Sequence, residues 1–323
     1  MHKESIFTKL VRRRIIMMLL LLVLLLIVFA VLSDGVSLFP LNLVNILSAM
    51  STSTFLTTGV ALLMISGRLD LSTGANGTLC GILTAHLLRE GMPLLPTILI
   101  TLAAGALMGF VNALLVNELR IAPFIATLAT GSVATGLVYF IANKQWIDVV
   151  HPILKNYGKY LLFGYIPVCS LIAFSLMLLV GVVLHKTQFG RQIYIVGSNA
   201  QAAMLSGINP RKMSFSLFIL CGLFASAAGI TFVARTQSAT VQGLVAQRFQ
   251  GITSAVLGGI AFGGGSGGMA GAFVGLLVLN VFSNGMTVLG INPYWQYVAS
   301  GLLLLFALTL DYIQKQENMK LVA

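Results

Sequence analysis

Residues 15–32 read IIMMLLLLVLLLIVFAVL, without one charged or polar side chain. Wound as a helix at 1.5 Å per residue, the run is about 27 Å long, close to the roughly 30 Å hydrocarbon core of a bilayer. Five basic residues stand before it in MHKESIFTKLVRRR. That pairing resembles the charged and apolar regions of a signal peptide, but the run is long enough to span and lacks a small-x-small cleavage site. It predicts an uncleaved first span, preceded by a cytoplasmic segment 1–14.

The rest of the chain repeats the pattern. Of 323 residues, 58% are apolar and only 8% charged, against about 25% charged in a soluble domain. Apolar segments of span-like character lie near 15–33, 45–66, 74–88, 95–116, 122–142, 166–184, 213–234, 250–263, 270–290 and 295–311. They predict an all-α polytopic bundle occupying 15–311, with about ten spans. The third and eighth segments are short and interrupted by Gly, so the count runs from eight to ten. With the N-terminus inside, thirteen of the nineteen Lys and Arg residues fall on the inner side: Lys3, Lys9, Arg12, Arg13, Arg14, Arg68, Arg120, Lys186, Arg191, Arg211, Lys212, Lys315 and Lys320. That bias follows the positive-inside rule. Both termini are then cytoplasmic, including the tail 312–323. The net charge of +11 is a matter of topology and calls for no nucleic-acid partner.

Enzyme chemistry finds no foothold. The four histidines, His2, His86, His151 and His185, form no HExxH set; GxSxG and Walker motifs are absent. Cys80, Cys169 and Cys221 all sit inside apolar segments, where a free Cys behaves as a small hydrophobe. No catalytic residue, metal site or cofactor is expected in this chain. Ionisable residues within or beside spans are few. Asp70, in SGRLDLSTGANG, lies where the second span gives way to the third; it suits a helix cap, a local pair with Arg68, or, less economically, an ion relay. Gly267, Gly271 and Gly275 recur at intervals of four in LGGIAFGGGSGGMAGAFVG (257–275), which suits either close helix packing or an unwound turn lining a path.

One polar stretch interrupts the apolar pattern: residues 186–212, KTQFGRQIYIVGSNAQAAMLSGINPRK. Asn199 is a good N-cap, Ala200 to Ser206 are helix-compatible, Gly207 fits C′ and Pro210 follows. A helix of two turns is not stable alone in water, so something must hold it. Two readings stand: a connector resting on its own bundle, or an uncharged knob inserted into a cleft on a cytosolic partner.

This stretch resembles the cytoplasmic loop of sugar-type ABC transporter permeases, the group of the ribose, xylose, galactose and autoinducer-2 permeases. Gly190, Arg191, Gly197, Asn199, Ala202, Ala203, Ser206, Gly207 and Ile208 match that family's pattern. Further similarities run in the same order through Gly67 to Gly74, PFIATLAT at 123–130, and Leu257, Gly258, Gly259, Gly264, Gly265, Gly267 and Gly271. The departures are Arg68 and Ala129 in place of Gly, Ile260–Ala261 in place of Thr-Ser, and RFQGITS with Arg248 and Gln250 where acidic residues are usual.

The resemblance implies the translocating subunit of a bacterial importer in the inner membrane, carrying a monosaccharide or sugar-like solute; nucleosides or branched-chain amino acids are the alternative cargo, and a stand-alone secondary transporter the alternative class. It implies a second permease copy, an extracytoplasmic solute-binding protein, and a separate ATPase subunit holding ATP and Mg. Within the loop 185–212, the resemblance assigns ATPase coupling to Asn199, Ala202, Ala203, Leu205, Ser206 and Gly207, with Arg191 orienting it. Asp70, Ser72, Asn112, Gly264 and Gly265 are expected along the path. Arg235 and Arg248, on the expected outer loop between the seventh and eighth spans, are expected to meet the binding protein or to anchor at lipid headgroups.

Overall fold

The computed structural model describes residues 6–309 apart from 144, 150, 293, 297, 300, 304 and 306–308, with backbone alone at 6–14, 246 and 248. Much of the expected last span and the whole tail 312–323 lie outside the described residues. Twelve α-helices follow one another among the described residues: α1 (Ile6–Leu32), α2 (Pro40–Ile65), α3 (Thr73–Arg89), α4 (Leu94–Asn117), α5 (Pro123–Ala142), α6 (Pro152–Lys159), α7 (Val168–Lys186), α8 (Gln188–Ser198), α9 (Ala200–Leu205), α10 (Pro210–Thr236), α11 (Arg248–Leu257) and α12 (Met269–Val288). Proline opens α2, α5, α6 and α10. At the first helical position its missing N–H has no intrahelical partner to lose.

Seven of these helices are long and apolar enough to cross a membrane: α1, α2, α4, α5, α7, α10 and α12. The all-α polytopic expectation therefore holds. Two of the expected spans take another form. The third segment is α3, only 17 residues long. The eighth, expected at 250–263, is the ten-residue α11 followed by a non-helical break at 258–268. Gly264, Gly265 and Gly267 in that break take φ values of 86°, 76° and 100°, a region open to glycine and strained for other residues. Irregular backbone at this depth is tolerated only where protein satisfies it. Accordingly, Gly264 N–H donates to the Ala261 carbonyl at 3.0 Å and Gly265 N–H to the Ile65 carbonyl at 2.8 Å.

α2 and α10 form the centre. In α2's apolar window 83% of residues are buried, against 11% in α1, which lies at the periphery. α10 packs along α2, α3 and α4 through small residues. A Cβ added at Gly222 would fall on the Gly105 carbonyl, and one at Gly229 on the Gly77 carbonyl. With no solvent-driven force between helices in lipid, such backbone contact supplies the attraction. Gly271 and Gly275 do the same for α12, facing the carbonyls of Gly258, just past the end of α11, and of Ser254 on α11. The glycine run thus divides: Gly271 and Gly275 allow close helix packing, whereas 264–267 is unwound backbone.

At the end of the bundle away from α8 and α9, a two-residue ribbon pairs β1 (Ile147–Asp148) with β4 (Ser238–Ala239), and β2 (Leu161–Leu162) pairs with β3 (Ile166–Pro167). α6 lies across α10 there, with Tyr157 and Thr231 sharing a 2.8 Å hydroxyl bond. The three cysteines are buried and unbridged, as expected.

Candidate functional site

The opening of α9 is capped by side-chain chemistry. Asn199 Oδ1 accepts from the N–H groups of Gln201 and Ala202, both at 3.0 Å. At its other end Gly207 takes φ 78°; its N–H donates to the Met204 carbonyl and that of Ile208 to the Ala203 carbonyl. This double bond through a left-handed glycine is the Schellman closure. The predicted helix and both caps are therefore present, one residue shorter than the sequence suggests.

Its two faces differ sharply. Ala203 is fully buried and belongs to the same core cluster as Ile193, Val196 and Met213. Leu205 is 92% exposed and Met204 65%, and Asn199, Ala202, Ser206 and Gly207 are exposed too. Ala203 is thus misplaced as a contact for another chain, because successive helical residues turn by about 100° and its direction points into this chain's own bundle. Met204, by contrast, joins Leu205 on the outward face. Arg191 is exposed on α8, a helix that the sequence pattern does not announce; Thr187 caps it by accepting from Gly190 N–H at 3.2 Å.

α8 connects α9 to the interior. Gly197 lies against the end of α2 and the glycine break: a Cβ there would meet the Ile65 carbonyl and the Gly265 nitrogen. Tyr194 donates its hydroxyl to the Gly267 carbonyl at 2.8 Å and stacks on His185 with ring centroids 6.4 Å apart. Burial pushes the Tyr194 phenol up, so it remains a donor. Gly264 in turn approaches Gly67 at the end of α2. Gly264 and Gly265 therefore belong to a backbone junction joining α2, α8 and the α11–α12 break.

Asp70, Ser72 and Asn112 do come together, as a closed junction. Asp70 Oδ1 accepts from Ser72 N–H at 2.7 Å and Ser72 Oγ at 2.6 Å, and Oδ2 from Asn112 Nδ2 at 3.3 Å. Asn112 Nδ2 also donates to Ser72 Oγ at 2.9 Å, and Asn112 Oδ1 accepts from Thr130 at 2.6 Å. Leu71 N–H donates to Thr127 Oγ1 at 3.1 Å. The break between α2 and α3 is thereby pinned to α4 and α5. The carboxylate faces Ser72 and Asn112, so the expected pair with Arg68 does not form. Thr127 and Thr130 sit in the PFIATLAT stretch, one helical turn apart, on the face that meets the break.

Arg235 departs from expectation. It lies in the last turn of α10 rather than on a loop, and its guanidinium turns inward, donating from Nε to Ser48 Oγ at 2.9 Å and from Nη1 to Thr52 Oγ1 at 3.1 Å. Burying the cation's stem while hydroxyls satisfy its N–H groups explains the inward turn. Arg248 opens α11; its side chain lies outside the described residues. Among the described residues no cluster of His, Cys, Asp and Glu could hold a metal ion.

Apolar helices long enough to cross a membrane, small-residue packing, and a capped helix held outside the bundle by its own buried face define a multi-pass membrane protein. The chain belongs to the family described as branched-chain amino acid transport system / permease component, which matches residues 42–308. The ribose import permease protein of Bacillus subtilis is 33% identical over 277 residues, covering 84% of this chain and 85% of its own length. The galactose/methyl galactoside import permease protein of Escherichia coli K12 is 32% identical over 310 residues, covering 88% and 90%. The ribose import permease protein of the same strain is 32% identical over 275 residues. The resemblance to sugar-type permeases is borne out. No solved structure is significantly similar to the chain.

Proposed function

We propose that this chain is the transmembrane subunit of an ABC importer in a bacterial cytoplasmic membrane, translocating a monosaccharide or sugar-like solute. The observation that carries the reading is α9, whose Ala203 is buried in its own bundle while Leu205 stands 92% exposed. An apolar side chain held out on a doubly capped, uncharged helix suits a cleft on another protein. That protein is the ATPase subunit, which holds ATP and Mg and hydrolyses the nucleotide; this chain has no catalytic role. Asn199, Ala202, Met204, Leu205 and Ser206 form the contact, Gly207 closes the helix, and Arg191 orients the loop 185–212. Ala203 serves as the anchor beneath it.

The accompanying parts of the reading are a solute-binding protein outside, a second permease copy, same or different, and ten crossings with both termini cytoplasmic. The segments are then 1–14 inside, 15–311 in the membrane and 312–323 inside. The count of about ten adds α3 and α11 to the seven long helices and takes the apolar segment 295–311 as the last crossing. The path runs beside the junction of Asp70, Ser72 and Asn112 and beside Gly264 and Gly265, which hold its wall. Arg248 is kept as a docking residue for the binding protein, with electrostatic attraction setting orientation and encounter rate. The family's description favours a second cargo, branched-chain amino acids; the names of the similar permeases favour sugars.

The test is reconstitution with the cognate ATPase and binding protein. Uptake of a labelled sugar that requires all three components and ATP is expected. Uptake by this chain alone, without ATP, would overturn the reading.

A further inference from the structure

The turn at residues 118–122 joins the end of α4 to the start of α5. It lies at the same end of the bundle as α9, because two contacts tie it to the first turns of α10. Asn117 Nδ2 donates to Ser214 Oγ at 3.0 Å, and Glu118 pairs with Arg211. Arg211 follows soon after Leu205 in the chain, so the turn is braced against the base of α9. The turn also divides its apolar residues as α9 does. Ile121 packs against the core cluster that contains Ala203, whereas Leu119 is 65% exposed.

Between them stands Arg120, exposed and at φ 53°. A left-handed residue is needed there to send the chain back, so that Ile121 N–H can donate to the Leu115 carbonyl at 3.1 Å. Glycine takes that conformation without strain, and Gly67, Gly91, Gly207 and Gly290 do so after α2, α3, α9 and α12. Gln237 takes it after α10 and uses its side chain locally, donating Nε2 to the Ala234 carbonyl at 2.6 Å. Arg120 instead holds a long cation out from the surface. A bulky residue kept in a strained conformation points to a use for its side chain.

The exposed leucine does not suit lipid. Leu119 is flanked by Glu118 and Arg120, and it cannot enter hydrocarbon without drawing two charges after it. An apolar side chain beside a guanidinium suits a protein surface that offers a recess and a carboxylate, which Arg can grip with two parallel hydrogen bonds. We propose that the α4–α5 turn is a second seat for the ATPase subunit, Leu119 entering a recess and Arg120 pairing with a carboxylate beside it. The inference rests on the importer reading and deepens it. A partner held by α9 alone can pivot about one short helix. A second contact, braced to the base of α10 through Glu118 and Arg211, fixes its orientation.

Arg120→Gly separates a structural role from this one, in the full chain co-expressed with its cognate ATPase subunit. Glycine relieves the backbone, so the thermal midpoint in detergent is expected to be unchanged or higher. Co-purification of the ATPase is expected to fall about tenfold, since a charged hydrogen bond is lost, and Arg120→Lys is expected to restore most of it. Leu119→Cys is expected to join the ATPase through a short thiol-to-amine cross-linker, as Leu205→Cys does, while Leu178→Cys on the lipid-facing side of α7 does not. The three native cysteines are buried. Full retention of the ATPase by Arg120→Gly would overturn the seat. So would a loss confined to vesicles containing phosphatidylglycerol, which would assign Arg120 to lipid phosphate. Cross-linking from 205 without any from 119 would remove the seat and leave the importer reading standing. An unaltered chain that retains no ATPase, with no cross-link from 205, would remove the importer reading instead.

Discussion

Tyr194 on α8 donates its hydroxyl to the carbonyl oxygen of Gly267 at 2.8 Å, tying the segment that carries α9 to the break between α11 and α12. Gly197 reinforces the tie through direct backbone contact with Ile65 and Gly265. A displacement of α9 by a partner thus reaches the unwound glycines through a rigid path of a few residues. Tyr194→Phe removes the bond while keeping the ring against His185. The loss is about 1 kcal/mol, small against folding but sufficient to loosen a mechanical link. Severalfold lower uptake per ATP hydrolysed is expected in proteoliposomes, with ATPase activity and protein level retained. An unchanged ratio of uptake to hydrolysis would show that the bond plays no part in coupling.

Leu205 and Ala203 should respond in opposite ways. Leu205→Asp adds a charge at a site that is 92% exposed, so monomer stability and membrane level are expected to be unaffected. With α9 seated in an ATPase cleft as proposed, that charge would lose its water. Co-purification of the ATPase subunit is expected to fall by about tenfold or more, the ratio that 1.4 kcal/mol represents. Ala203→Glu places its charge inside this chain's own core and is expected to lower the protein level before any effect on the partner is seen. Equal retention of the ATPase by Leu205→Asp would argue that α9 is a connector only.

Gly222 on α10 packs directly against Gly105 on α4. Gly222→Ala sets a methyl group against the Gly105 carbonyl, and the two helices must separate. Overpacking of this kind costs about 1–3 kcal/mol. A lower thermal unfolding midpoint in detergent is expected for Gly222→Ala. At Gly136, where an added Cβ meets nothing within 4 Å, the same change is expected to be neutral or stabilising, since Ala has the higher helix propensity.

The long apolar runs were legible because membrane spans need length and hydrophobicity together, and both are local properties. α9 was legible for the same reason: Asn199, Gly207 and Pro210 act within one or two turns. What local pattern does not carry is direction. Ala203 and Leu205 look alike as apolar residues of a short helix, and only the position of the bundle sends one inward and the other out. Arg235 reads as an outer-loop cation because its neighbours are polar, yet Ser48 and Thr52, 187 and 183 positions away, turn it inward. α11 reads as a span because its composition is apolar. Its early end at Leu257 depends on contact between the glycine break and Gly67, Gly197 and Ser198, distant in sequence.

Asp70 offers the last prediction, because its position within a closed network separates support from transport chemistry. It is only 2% exposed, and its acceptors meet Ser72 N–H, Ser72 Oγ and Asn112 Nδ2. Asp70→Ala leaves the Ser72 N–H, the Ser72 hydroxyl and one Asn112 N–H without this acceptor, each costing about 1–3 kcal/mol. Asp70→Asn keeps an oxygen for Ser72 but sets a second amide donor against Asn112 Nδ2, so one clash replaces three losses. Thermal stability is expected to fall in the order wild type, Asn, Ala. Uptake per folded molecule is expected to change little in Asp70→Asn, since the carboxylate is occupied in bracing α2–α3 against α4 and α5. If Asp70→Asn is as stable as the wild type yet transports nothing, the carboxylate acts on the solute or on an ion, and its role as a brace is refuted.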